Sequence, residues 1–129
     1  MSANPEQCEI EMSLGGRNYH LKFNNRTVAI IEKAWGYGHT YLFSNFQKLV
    51  GVDMIATAIH GAMQWKDCPP HHRRMTVEGV ITAMDMTNFE AVYVLPVAEA
   101  LGNWRGINRD AKDVPEDEKA EETKPGDPG

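Results

Sequence analysis

The chain has 129 residues, 42% of them hydrophobic, and a formal net charge of −5, the profile of one modest globular domain. No stretch approaches the roughly 20 apolar residues of a membrane span, and the N-terminus lacks the basic-then-apolar layout of a secretory signal, so a cytoplasmic protein without a membrane partner is expected. Eight acids and three lysines between positions 110 and 129 carry the whole net charge; the remainder is neutral, with no surplus of positive charge to neutralise phosphates, which argues against nucleic-acid binding.

Residues 9–23, EIEMSLGGRNYHLKF, alternate apolar and polar on both sides of Gly15 and Gly16. Period-two spacing sets Ile10, Met12 and Leu14, and then Tyr19, Leu21 and Phe23, on one face, and the two glycines supply the positive φ of a tight turn, so the segment predicts a β-hairpin. A lone hairpin is marginal in water, and its apolar face must rest on the helices that follow. Asn24 and Asn25 can cap the first of these, which places Val28, Ile31, Ala34 and Trp35 on one stripe and ends at Gly36. Beyond a link at 36–38, a short second helix carries Tyr41, Leu42, Phe43, Phe46, Leu49 and Val50 and stops at Gly51, although its first residues also read as loop.

Asp53 is the expected N-cap of a third helix with Ile55, Ala58, Ile59, Ala62 and Met63 inward and Gly61 as its weak point. Pro69 and Pro70 close that helix within a polar, turn-prone loop, KDCPPHHRRM. Thr76 caps a fourth helix with Val77, Val80, Ile81 and Met84 inward. Thr87 and Glu90 stand at capping-box spacing before a last helix carrying Phe89, Val92, Tyr93, Val97, Ala100, Leu101 and Trp104, and Pro96 in its interior predicts a kink. A strand over AVYVL is the alternative there; the Thr87 cap and residues 98–101 favour the helix. The expectation is an α+β fold: a single folded domain over 1–108, its hairpin at 9–23 packed on about four to five short helices between 25 and 104, and a disordered acidic tail at 109–129 with almost no large apolar side chain to bury.

Motifs of known reaction classes are largely absent. GYGHTYLF lacks the third glycine of a phosphate-cradling loop and follows a helix instead of a strand. Cys68, His71 and His72 bring thiolate and imidazole together, but adjacent histidines project apart and Arg73 and Arg74 repel a cation, so a polar loop is the plainer reading and no metal or other cofactor is expected. Neither cysteine lies in a CxxC, and Cys8 and Cys68 read as free thiols. The body carboxylates are scattered where caps and solvated helix faces explain them, so no catalytic residue is assigned. What remains is aromatic content: Trp35, Tyr37, Tyr41, Phe43 and Trp65 cluster around the first two helix ends and the loop after the third helix. Most aromatic side chains are core, yet a small domain leaves some of them at the surface, where Trp and Tyr anchor protein partners.

The order of these pieces resembles the small tail assembly chaperones of long-tailed bacteriophages and gene transfer agents. EIEMSLGGRNYHLKFNNRTVAIIEKAWG is similar to the start of that group: a strand, a GG or GK turn, a strand ending in phenylalanine, an Asn-Arg step, and a helix with a central glutamate. AIHGAMQWKDCPPHHRRMTVEGVITAMDMTNFEAVYVLPVAEALGN is similar to its second half, with a proline-bearing loop, a T-x-E-x-V helix start and an alanine-rich last helix. The resemblance spans residues 10–103 and departs at Gly79, where relatives often carry a second acid, at the bulky Trp65 and PPHHRR loop, and at Pro96. It implies a non-enzymatic protein of the host cytoplasm, absent from the mature virion, that binds the tape measure protein before the tube polymerises. In many relatives a frameshifted extension recruits tail tube protein, and self-association stays open. A structural tail tube or tube-associated protein is the nearest competitor, and a small enzyme or metal-binding regulator using Cys68, His71 and His72 the second.

Overall fold

In the computed structural model of the chain, which describes residues 8–106, the hairpin stands where the alternation places it. Strands β1 (Glu9–Leu14) and β2 (Arg17–Lys22) pair antiparallel with Ile10 opposite Leu21 and Met12 opposite Tyr19. Gly15 and Gly16 turn the corner at φ of 58° and 80°, the left-handed pair that a two-residue hairpin loop needs and that side chains with a Cβ resist. Met12, Leu14, Tyr19, Leu21 and Phe23 are buried, so the apolar face is the floor under the helices.

Seven α-helices follow among the described residues, more than the sequence reading divides the chain into. Helix α1 (Asn25–Trp35) begins at Asn24, whose side chain accepts from the Thr27 amide while Thr27 Oγ1 accepts from the Asn24 amide, and it ends at Gly36 with φ 88°. The expected second helix is two short ones, α2 (His39–Ser44) and α3 (Phe46–Leu49), because Asn45 donates its side-chain amide to Tyr41 O at 3.0 Å and leaves helical φ/ψ. Helix α4 (Val52–Met63) starts on Gly51; Asp53 lies exposed in its first turn and is not the cap. The PPHHRR loop contains a one-turn helix, α5 (Pro70–Arg74), with proline in the first turn where its missing N–H costs nothing. Helix α6 (Val77–Ala83) is capped by Thr76 as its sequence predicts, Oγ1 accepting from the Gly79 amide at 3.0 Å.

The last helix departs most. Asp85, not Thr87, supplies the cap, its carboxylate accepting from the Thr87 amide at the head of a 3-10 turn, Met86–Asn88. A π-helical turn, Glu90–Val94, leads into α7 (Leu95–Arg105), and the Leu95 amide reaches back five residues to Glu90 O. The widened turn accommodates Pro96, whose ring would otherwise press on the carbonyl four residues back. The change of period also turns Val92 outward and Val94 inward.

Helix α4 is the centre of the packing, against α1, α6, α7 and β2, and it is apolar nearly all round as a helix covered on several sides must be. Met54, Ile55, Ala56, Ala58, Ile59, Ala62 and Met63 are buried on it. Full burial of side chains such as Leu21, Ile31 and Ile59, each with 0% exposure, contributes about 1.5–3 kcal/mol apiece. Gly61, expected to weaken α4, is where α1 crosses it: a Cβ there would lie 2.4 Å from Cγ1 of Ile31. The expected end of the domain at 108 and the acidic tail at 109–129 lie outside the described residues.

Candidate protein-binding surface

Three of the five aromatic residues singled out in the sequence form one shelf. Trp35 ends α1 and donates Nε1–H to Met54 O at 3.1 Å, which pins the indole against the first turn of α4. Tyr37 stacks on it at 5.1 Å with 15° between the rings, and Tyr41 on α2 follows at 5.4 Å and 55°. Trp35 and Tyr37 are half-buried and Tyr41 is 53% exposed, so the shelf is anchored at one end and open at the other. Burial, with Tyr41 alongside, raises the Tyr37 hydroxyl above its ordinary value, so it stays a neutral phenol.

Phe43 belongs to a neighbouring line of rings. His39 lies 6.4 Å from Phe43 and 4.9 Å from Trp104, edge to face with the latter. Glu32 holds this line to α1: its Oε2 accepts from the His39 main-chain N–H at 2.7 Å and lies 2.6 Å from Nδ1 of the same residue. Burial raises the Glu32 pKa, but the hydrogen bonds and charge of His39 outweigh it and leave the carboxyl below its ordinary value. The carboxylate thus caps α2 from another helix, where Gly38 has no side chain to do so. Trp104 closes the line by donating Nε1–H to Asn25 Oδ1 at 2.9 Å.

Trp65 is elsewhere and has a structural task. In an antiparallel pair alternate residues turn their main-chain groups away from the partner strand, and on β2 His20 is one of these. Trp65 donates Nε1–H to His20 O at 2.8 Å, and Nε2 of His72 lies 3.1 Å from both His20 N and O. With the carbonyl already served by Trp65, the tautomer that completes the edge has Nε2 accepting from the His20 amide. Lys22 places its ammonium 4.1 Å over the Trp65 ring, a cation–π contact. The outer edge of β2 is therefore plugged at His20.

The histidines of the PPHHRR segment serve that plug. His72 is 2% exposed, its Nδ1 meets no partner among the described residues, and its ring packs with Tyr19, Trp65 and His71. Cys68 and Cys8 are both buried. Among the described residues no three His, Cys, Asp or Glu side chains gather closely enough to hold a metal ion, and no helix is long and apolar enough to cross a membrane.

Sequence reasoning passed over His39, Glu32 and Trp104 as site residues. The signal was present for Glu32 and His39, a carboxylate facing the start of the next helix across a glycine link. It also passed over three exposed apolar side chains, Met86 at 48%, Val92 at 44% and Leu95 at 61%; helical spacing assigned Val92 to the core, and the π turn reverses it. Compared with protein-family models, curated proteins and solved structures, the chain matches none.

Proposed function

We propose that this chain is a non-enzymatic tail assembly chaperone that holds apolar segments of the tape measure protein on the Trp35–Tyr37–Tyr41 shelf until tail tube protein assembles around that client. The observation that carries the reading is the shelf itself: Trp35 and Tyr37 stacked with Tyr41 tilted against them, locked to α4 at Trp35 and open to solvent at Tyr41. Rigid aromatic rings with a polar tip offer large contact area at low cost in side-chain entropy, the chemistry of interface anchors. The hairpin face does not compete for this role, because it is buried under the helices. The order of sequence elements across 10–103 supports the same assignment. A tail tube subunit builds its ring from a large sheet, whereas the sheet among the described residues has two strands, which favours the chaperone over its nearest competitor.

Co-expression with a tape measure protein tests the proposal. The client is expected to shift from the pellet to the soluble fraction with the wild-type chain and to remain in the pellet with Tyr37→Ala/Tyr41→Ala. Equal client solubility with and without the chain would defeat the proposal.

A further inference from the structure

The two edges of the hairpin are not alike. On β2 the outward amide and carbonyl of His20 are met by His72 and Trp65, and Lys22 O accepts from Thr27 Oγ1 at 2.6 Å. On β1 the register that pairs Ile10, Met12 and Leu14 with Leu21, Tyr19 and Arg17 turns the main chain of Glu11 and Ser13 outward. Both residues are exposed, and no hydrogen bond to their outward groups occurs among the described residues. An unpaired edge of this kind is a template for another strand unless it is bulged, covered, interrupted by proline or guarded by charge; among the described residues β1 has no bulge, cover or proline, and its guard is the acidic Glu11.

Beside that edge, Ser13 and Gly16 of the hairpin and Ala83, Asp85, Val92 and Tyr93 of the helical side line a groove of about 460 Å³, room for one or two side chains. Val92, 44% exposed, gives it an apolar lip. Its charge comes from Asp85 alone, with no base in the lining, and exposed Glu11 stands on the adjacent strand. A second copy of the chain is a poor occupant: the antiparallel register that engages outward residues 9, 11 and 13 together would set Glu11 against Glu11 of the copy, and like charges directly opposite destabilise a sheet.

We propose that the open edge of β1 is a strand-addition site for an extended peptide of alternating basic and apolar residues. Its main chain pairs with the Glu11 and Ser13 amides and carbonyls, one apolar side chain enters the groove beside Val92, and its lysines or arginines face Glu11 and Asp85. The site is separate from the aromatic shelf and does not rest on the chaperone reading, so either stands if the other fails.

The test uses the full chain and an acetylated, amidated peptide, Lys-Val-Lys-Val-Lys-Val-Lys, followed by backbone amide NMR. The Glu11 and Ser13 amides should shift and exchange with solvent more slowly on titration, and a peptide N-methylated at alternate residues should bind at least about tenfold more weakly, the loss expected for one main-chain hydrogen bond or more. Ser13→Pro removes an outward donor at a position where an edge strand tolerates proline and should weaken binding by a similar factor. Glu11→Lys should reverse preference toward the Glu-Val counterpart of the peptide. Shifts confined to the Tyr41 shelf, or full binding by the N-methylated peptide, would overturn the proposal even if Ser13→Pro proved unfolded by circular dichroism.

Discussion

Replacing Gly61 by alanine opposes two effects of known size at one atom. On an exposed helix the change stabilises by about 1 kcal/mol, because glycine is the poorest non-proline helix former. Here the new Cβ would lie 2.4 Å from Cγ1 and 3.5 Å from Cα of Ile31, whereas carbon pairs settle at about 3.5–4.0 Å. The clash needs a shift of more than about 1 Å, and Ile31, with 0% exposure, is fixed by its surroundings. Overpacking of this kind costs about 1–3 kcal/mol, and a methylene near the isoleucine backbone yields less readily than a chain end, so the upper part of that range applies. The net prediction is a loss of about 2 kcal/mol, which lowers the melting temperature of a domain this size by roughly 10 °C. Thermal unfolding followed by circular dichroism measures it. In an Ile31→Ala background the same Gly61→Ala change should be neutral or stabilising, since the obstruction is gone. A higher melting temperature for Gly61→Ala in the otherwise wild-type chain would refute the close crossing of α1 and α4.

Burial, opposed by the His20 carbonyl, which favours a protonated Nε2, and aided by the charges of His71 and His20, holds His72 below its ordinary pKa of 6.5. The unfolded chain then takes up this proton first, so the contribution of His72 is intact above about pH 6.5 and is lost as pH falls through that value toward the folded pKa; melting temperatures at successive pH values should drop across this window, and His72→Gln should flatten the drop. Glu32→Ala removes both hydrogen bonds to His39 and should cost about 1–2 kcal/mol by denaturant titration, the lower range for charged hydrogen bonds because the group is partly exposed. Tyr41→Ala removes a ring that is 53% exposed and should change stability by no more than about 0.5 kcal/mol while reducing client solubilisation; a large stability loss would mark the ring as core.

The hairpin was legible because three local signals agree within residues 9–23: alternation, paired glycines and an asparagine cap directly after Phe23. The Asn24, Gly36 and Thr76 boundaries were legible for the same reason, since each cap acts through its own side chain or its own φ. Gly61 was not, because its role depends on Ile31 of another helix, and propensity read along one segment sees only the cost of a missing side chain. His72 was read as part of a polar loop since nothing adjacent in sequence announces that β2 needs an acceptor at His20. The start of the last helix failed at Thr87, where two residues at capping-box spacing compete with an aspartate two positions earlier, and the π turn before Pro96 then moved the phase of Val92 and Val94. Of the candidate surface, composition and position identified Trp35, Tyr37 and Tyr41 but not their stacking order. Trp65 looked similar in sequence and differs only through its contact with the hairpin edge.

Client engagement on the aromatic shelf is read most directly by backbone hydrogen exchange of the chain with and without a soluble fragment of tape measure protein. Slowed exchange is expected over residues 35–43, with the buried hairpin amides of Met12 and Tyr19 unchanged. Slowed exchange elsewhere, with 35–43 unaltered in a complex shown to form, would contradict it.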